Sequence, residues 1–226
     1  MTDIPIIFSA PMILALLAGR KTMTRRLAWR DKWIGPPAYR SSPWQRVKPG
    51  DRLWCRESAW FDREVIPAVG ASRCFFEGGS VRFSDGRFGQ APGHPDSSCA
   101  EVFRLNGSLK MRPSIHMPRW ASRLTLIVTA TKVEPLKYIT EADSWAEGIE
   151  YRDGCYGTWN ADGTMRCGGS DNAREAFRCL WINLHGTGAW DETPEVVALT
   201  FRVIKANIDE VSPPHKTHTA ALAGAI

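Results

Sequence analysis

The most strand-like segment of the chain is Arg123-Leu124-Thr125-Leu126-Ile127-Val128-Thr129-Ala130-Thr131-Lys132-Val133. Leucine and valine alternate in it with threonine and isoleucine, and this pattern is typical of a strand that is substantially buried on both faces. Residues 197–203 show a similar alternation near the end of the chain, and residues 4–8 form a short apolar run at its beginning. These segments predict the main strands of the fold.

Short helices are predicted at about residues 11–18, 140–148 and 171–185. The second opens with a capping-box-like pair, Thr140 and Asp143. Strands and helices do not alternate regularly along the chain. We therefore predict a mixed, predominantly β fold, with a small barrel and flanking short helices, rather than a doubly wound sheet.

Length and local composition predict how the chain is organised. With 226 residues and 43% hydrophobic content, it can form one domain with its own core. We predict a single domain over residues 1–204, with insertions at about 61–111 and 150–170, the second of them a loop rich in glycine and aspartate. Residues 205–226 lose the apolar pattern and are predicted to form a flexible tail.

Positive charge is concentrated at the front of the chain. The whole protein carries a formal net charge of +5, and its first fifty residues hold nine Lys or Arg against two Asp. Trp29, Trp33 and Trp44 lie among these cations, which suits a polyanion with stackable bases, such as single-stranded nucleic acid, or a nucleoside. A solvated basic surface above buried tryptophans explains the same pattern.

Neither a metal site nor a membrane segment is predicted. The six cysteines form no C-x-x-C pair and have no histidine at zinc-finger spacing, so we expect them to be reduced and structural, with no cofactor. Residues 4–18 are apolar, but no basic region precedes them and Pro11 interrupts them. We expect a cytoplasmic protein without a membrane partner.

The sequence Gly19-Arg20-Lys21-Thr22-Met23-Thr24-Arg25-Arg26 places an amine and a hydroxyl three residues apart within a cluster of cations. Repulsion by the arginines and partial burial both favour the neutral form of Lys21. A neutral Lys21 within hydrogen-bond reach would activate the Thr24 hydroxyl as a nucleophile for acyl transfer. The motif is equally compatible with a solvated basic turn or a phosphate-binding patch.

The order of these pieces resembles the ASCH domain, a PUA-like β-barrel family whose members bind or process RNA and modified nucleosides. The resemblance is strongest to the longer ASCH proteins of phage and prophage genomes, where Arg112 to Arg123 form a recognisable signature. The other matching pieces are Leu17 to Arg26, Lys48 to Leu53, Leu124 to Val133, Ile139 to Ile149 and Val196 to Val203.

A compact bacterial branch of this family hydrolyses N4-acetylcytidine with a lysine, a threonine and a glutamate. The resemblance implies that Lys21 and Thr24 take the first two roles and Glu147 the third, with Glu141 a less favoured choice. It thus implies an amidohydrolase that removes an acyl group from N4 of a modified cytosine, as nucleoside or base. The acyl group and the oligomeric state are left open.

Further residues are candidates for substrate binding. Trp60, His116 and Trp120 could stack on the base or hydrogen-bond to it, although the tryptophans could equally be packing residues and His116 a structural loop residue. The full candidate set is Arg20, Thr22, Arg26, Glu57, Trp60, His116, Arg119 and Trp120. Glu57 could instead form an ion pair across strands.

Two other functions remain open at this stage. In the first, the protein is an RNA-binding module without catalysis, in which the basic motif grips phosphates and binding falls steeply with salt. In the second, it is an RNA-cleaving enzyme that uses the same basic cleft and yields shortened RNA.

Overall fold

The computed structural model describes residues 1–31, 39–62, 73–76, 80–86, 88–90, 109–159 and 164–212. The strands are β1 (Asp3–Ile7), β2 (Met23–Leu27), β3 (Trp29–Asp31), β4 (Tyr39–Ser41), β5 (Arg52–Arg56), β6 (Ala59–Asp62), β7 (Arg73–Phe75), β8 (Ser80–Phe83), β9 (Phe88–Gln90), β10 (Leu109–Arg112), β11 (Thr125–Pro135), β12 (Glu150–Arg152), β13 (Cys155–Trp159), β14 (Met165–Ser170) and β15 (Glu195–Ile204). The helices are α1 (Ala10–Leu17), α2 (Glu141–Ala146) and α3 (Ala173–His185), and 3-10 turns span Pro43–Arg46, Ser114–His116, Arg119–Ala121 and Leu136–Tyr138.

The main sheet has the strand order β1-β5-β11-β15-β2. β1 pairs with β5 in parallel, and the other neighbours are antiparallel. β11 lies at the centre, since its first residues pair with β5 on one side while the whole strand pairs with β15 on the other. The described part of the chain is therefore predominantly β with a mixed main sheet, which confirms the predicted fold class at this level.

The prediction for β11 holds over its first half. Residues 125–128 are buried on both faces, but the strand is mostly exposed from Thr129 to Val133. A bulge between Val128 and Ala130 separates the two halves. Among the described residues, β5 pairs with Thr125 to Ile127 alone, so the second half of β11 has a described neighbouring strand on one side.

Two helices join the sheet in one hydrophobic core. α1 contributes Met12, Ile13 and Leu16, which are almost entirely buried, and α3 contributes Phe177 and Trp181. The apolar period of α3 explains its packing, since residues three and four apart lie on the same face. The core thus fixes α1, which leads directly into the basic motif.

The predicted insertions form sheets of their own where they are described. Strands β6 to β10 form a second five-stranded sheet with a small core around Phe61 and Phe76. The expected loop at 150–170 instead contains the three-stranded sheet β12-β13-β14. Asp153 and Gly154 turn the chain between β12 and β13 with positive φ angles, as a two-residue hairpin requires. The apolar pattern of Glu101-Val102-Phe103 also predicts a short strand in the first insertion, and these residues lie outside the described part of the chain.

The chain beyond Lys205 begins differently from the flexible tail that the sequence predicts. Residues 206–211 pack against the fold, where Asn207 and Ile208 are fully buried. The Asn207 side chain donates to the carbonyl oxygens of Arg119, Trp120 and Ser122 at 2.9, 3.2 and 2.7 Å. One polar side chain makes these contacts with three loop carbonyl oxygens, and a single polar residue produces no apolar periodicity. The sequence therefore gives no sign that this segment packs against the fold. Residues 213–226 lie outside the described part.

We expect Asn207→Ala to lower the free energy of unfolding by about 1–3 kcal/mol, because it removes the buried hydrogen bonds of this side chain, including the one that the Ser122 carbonyl oxygen accepts. Denaturant titration measures the change. Asn183→Ala is the matched control, since Asn183 is exposed on α3 and its change should have little effect. Equal stability of the two variants would mean that the packed segment contributes nothing to the fold.

None of the helices in the described part of the chain has the length and hydropathy needed to cross a bilayer.

Candidate functional site

The basic motif lies where α1 ends and β2 begins. Gly19 adopts a positive φ of 75°, and the backbone amides of Arg20 and Lys21 both donate to the carbonyl oxygen of Ala15, so the chain reverses tightly after the helix. The Thr22 amide then donates to the carbonyl oxygen of Ala146 at the end of α2. This backbone bond brings the end of α2 beside the motif.

Lys21 is buried and paired with Glu147. Its side chain is only 2% exposed, and its Nζ donates to Glu147 Oε2 at 2.8 Å and to the Glu147 carbonyl oxygen at 2.7 Å. Gly148 permits this approach, because a Cβ at that position would lie 3.1 Å from Ala15 Cβ and 3.3 Å from Lys21 Cβ. Its φ of 96° also favours glycine. The structure therefore brings together two predicted site residues that are far apart in sequence.

The surroundings of Lys21 favour its neutral form. Burial lowers the pKa of Lys21 from its usual value, the Glu147 carboxylate raises it, and the nearby charges of Arg26 and Arg25 lower it further, with a net decrease. A lysine with a lowered pKa can act as a proton acceptor near neutral pH.

Lys21, Thr24 and Glu147 all line one cavity of about 390 Å³. This volume is within the range of small-molecule sites. Thr24 is buried on β2, where it pairs with Leu199 of β15. One wall of the cavity is polar, and α3 supplies an apolar wall with Phe177, Leu180, Trp181 and Leu184. The arrangement can hold a partly apolar molecule against an amine, a hydroxyl and a carboxylate.

Arg26 also lines the cavity. Its guanidinium lies over the rings of Phe8 and Trp44, 5.2 and 5.7 Å from their centroids, and its Nη2 donates to the Ile7 carbonyl oxygen at 2.6 Å. Its Nε is buried without a hydrogen-bond partner among the described residues. The guanidinium therefore retains one N–H donor for which the described residues provide no acceptor.

Arg25 is a site residue whose role sequence reasoning missed. Its side chain is 1% exposed and contacts three carboxylates, at 3.3 Å from Glu147 Oε1, 2.8 Å from Asp143 Oδ2 and 3.0 Å from Glu134 Oε1. Partial burial raises the pKa of Asp143, but the Thr140 backbone amide and Arg25 lower it more, so that it lies below its usual value. Arg25 is thus turned inward rather than toward a polyanion.

His185 and Trp181 form a second feature that the sequence does not reveal. Their rings lie 4.1 Å apart at an angle of 31°, at the end of α3, and both line the cavity. Burial and the charge of Arg26 lower the pKa of His185. The helical period places the two residues on one face of α3. The tertiary fold, which the period does not reveal, brings this face to the cavity.

The other predicted binding residues do not line the cavity. Arg20 is largely exposed and pairs with Glu150 at 3.1 Å, while Thr22 is exposed. Arg119 joins Asp3 and Asp209, at 2.6 and 2.7 Å, and so connects β1 to the packed end of the chain. These three residues have local roles on the surface of the fold.

The remaining candidates also lie elsewhere. Glu57 is buried and accepts two hydrogen bonds of 2.8 Å from Arg123, the ion pair that was the alternative interpretation. Trp120 packs edge-on against Phe61 in the second core, with ring centroids 6.0 Å apart. Trp60 is partly buried on β6, and His116 is exposed in its 3-10 turn. Of the predicted residues, the cavity unites Lys21, Thr24, Arg26 and Glu147.

The described residues contain no group of three or more His, Cys, Asp or Glu side chains placed to hold a metal ion.

Comparisons with protein-family models, with curated proteins and with solved structures give no match for this chain. The proposal for this site therefore rests on its geometry together with the family resemblance of the sequence motifs.

Proposed function

We propose that this protein is an amidohydrolase that removes an acyl group from the N4 nitrogen of a modified cytosine, as nucleoside or base. The observation that carries the proposal is the convergence of Lys21, Thr24 and Glu147 on one cavity, with the Lys21 amine 2.8 Å from the Glu147 carboxylate. This combination supplies a base, a nucleophile and a group that holds the base.

In the proposed reaction, neutral Lys21 accepts the proton of the Thr24 hydroxyl as its oxygen attacks the acyl carbon. The C–N4 bond then breaks, and the departing amine takes the proton from Lys21, which leaves an ester on Thr24. A water molecule then attacks this ester as Lys21 accepts one of its protons. The C–O bond to Thr24 breaks, Lys21 returns the proton to the Thr24 oxygen, and the acid is released. Glu147 holds the ammonium that forms at each step.

Arg26 is suited to the negative charge that develops on the acyl oxygen. Arg26 lines the same cavity, and its Nε is a buried donor without a partner among the described residues. Its contact with the Phe8 ring holds the guanidinium in place. A donor that is in place before the reaction stabilises an oxyanion without reorganisation. We assign Arg26 this role in the proposed mechanism.

We further infer that the chain has the PUA-like fold of the ASCH family. The inference is supported by the position of the basic motif between α1 and β2, by the Lys48–Asp51 turn that leads into β5, and by β15 pairing with both β11 and β2. The main sheet of the described residues has β1 and β2 at its two edges. We propose that these strands close into a barrel.

The geometry favours amide hydrolysis over phosphate binding by the motif. Lys21 and Arg25 are buried against carboxylates, so they cannot also neutralise the phosphates of a polymer at the surface. Of the four cations in the motif, Arg20 is the most exposed, and it is paired with Glu150.

The test is to incubate the purified protein with N4-acylated cytosines and cytidines that carry acyl groups of increasing size, and separately with labelled RNA. Mass spectrometry should show the free acid and the deacylated base in equal amounts, with the RNA intact. Shortened RNA without release of an acid would instead support the RNA-cleaving alternative. RNA that binds to the protein and stays intact, with no acid released from any substrate, would support a binding module.

A further inference from the structure

The Glu147 carboxylate is shared by two cations. Lys21 Nζ contacts one oxygen, Oε2, at 2.8 Å, and Arg25 Nη1 contacts the other, Oε1, at 3.3 Å. All three side chains are almost fully buried, so water screens their charges only weakly. One negative charge therefore faces two positive charges within the site.

Arg25 is fixed from its far side as well. Its Nη2 donates to Asp143 Oδ2 at 2.8 Å and to Glu134 Oε1 at 3.0 Å, so that β11 and α2 both hold the guanidinium. The capping box of Thr140 and Asp143 in turn fixes Asp143. Arg25 cannot move away from Glu147 without breaking these contacts.

We propose that Arg25 is a positioning residue that keeps Lys21 in its neutral, proton-accepting form by sharing the Glu147 carboxylate. This inference rests on the proposed function, because it assigns Arg25 a task in the same reaction. Without Arg25, the whole negative charge of Glu147 would face Lys21 and hold its proton. With Arg25, Glu147 still orients the amine but binds the ammonium less strongly.

The electrostatic balance at Lys21 agrees with this role. Burial lowers the pKa of Lys21 most, the Glu147 carboxylate raises it, and the positive charges of Arg26 and then Arg25 lower it further. Removing Arg25 should therefore raise the pKa of Lys21. A neighbouring charge within a few ångströms typically shifts a pKa by about 1–3 units.

The main variants are Arg25→Met, which removes the charge, and Arg25→Lys, which keeps it. The matched control is Lys132→Met. Lys132 is 71% exposed and pairs with Glu134 at 2.6 Å, so this change removes a cation from the outer end of the same network without touching Glu147. Each variant is compared with the original protein at the same ionic strength.

Two measurements report on Lys21. Competitive labelling with acetic anhydride, followed by peptide mass spectrometry, gives the fraction of neutral Lys21 at each pH and needs no substrate. The pH profile of kcat/KM for the best N4-acylcytosine gives the same quantity from catalysis. For Arg25→Met we expect both midpoints to rise by about one pH unit, so that kcat/KM falls about tenfold on the acidic side of the midpoint and is recovered at higher pH.

Arg25→Lys and Lys132→Met should keep midpoints close to that of the original protein. A uniform loss of kcat/KM at every pH, with an unchanged labelling midpoint, would show that Arg25 is only structural and would overturn the inference. The two proposals fail separately. Absence of hydrolysis in the original protein refutes the amidohydrolase, whereas an unshifted labelling midpoint refutes the role of Arg25.

Removing Arg25 also leaves Asp143 without this buried cation and Glu134 with only the exposed Lys132, which can destabilise the fold. The double variant Arg25→Met/Glu134→Gln removes one of these charges and is compared with Glu134→Gln alone. The labelling midpoint of Lys21 should also rise from the Glu134→Gln variant to the double variant. If it does not, the sharing of Glu147 by Arg25 has no effect on Lys21.

Discussion

Lys21→Met, Thr24→Ala and Glu147→Gln should each lower kcat/KM for N4-acylcytosine hydrolysis by about a thousandfold or more. Removing a positioned proton acceptor or nucleophile typically costs this much, and the members of such a unit fail together. Each change keeps or reduces side-chain volume and adds no charge. Release of the acid, followed by mass spectrometry, measures the loss, and circular dichroism checks that the variants are folded.

The matched controls are Thr129→Ala and Lys132→Met, which make the same changes at exposed positions on β11. Both should retain full activity. The double variant Lys21→Met/Thr24→Ala should be little worse than either single variant, because the two residues act in one step. A fully active Glu147→Gln variant would exclude the three-residue mechanism, even though Glu147 contacts Lys21.

Glu57→Ala should lower the free energy of unfolding by about 3–5 kcal/mol, because it leaves the buried Arg123 guanidinium without its carboxylate. Denaturant titration gives this value. The double variant Glu57→Ala/Arg123→Met should recover much of the loss, since it also removes the unpaired charge.

This prediction also separates the two interpretations of Glu57. If Glu57 acts only in the ion pair, the KM of the folded variant should be unchanged, because Glu57 does not line the cavity. Unchanged stability together with a raised KM would assign Glu57 to substrate binding instead.

Local features of this fold could be predicted from the sequence because neighbouring residues determine them. The capping box predicted from Thr140 and Asp143 has both of its hydrogen bonds in the structure. The alternation at residues 123–133 indicates a strand, although its second half is exposed. The hairpin at Asp153 and Gly154 could also have been found, since Asp-Gly is a strong turn signal, but the high glycine content of the region indicated a loop.

The site itself depends on contacts that spacing does not encode. The pairing of Lys21 with Glu147 was expected from the family resemblance and not from their sequence separation of 126 positions. A run of cations likewise does not show which members are buried. Arg25 and Arg26 are adjacent, yet Arg25 meets three carboxylates while Arg26 lies over Phe8 and Trp44. This distinction depends on the tertiary fold, which brings Glu134 of β11 and Asp143 of α2 to Arg25.

The close approach at Gly148 has a consequence for engineering this protein. Lys21 and Glu147 are positioned by a backbone contact between the ends of α1 and α2, in which Gly148 leaves no space for a side chain. The apolar wall of the cavity comes from a different element, α3. For the proposed amidohydrolase, selection for new acyl groups should therefore vary the exposed Leu184 and keep Gly148 constant, so that the substrate range changes while Lys21 and Glu147 stay in place.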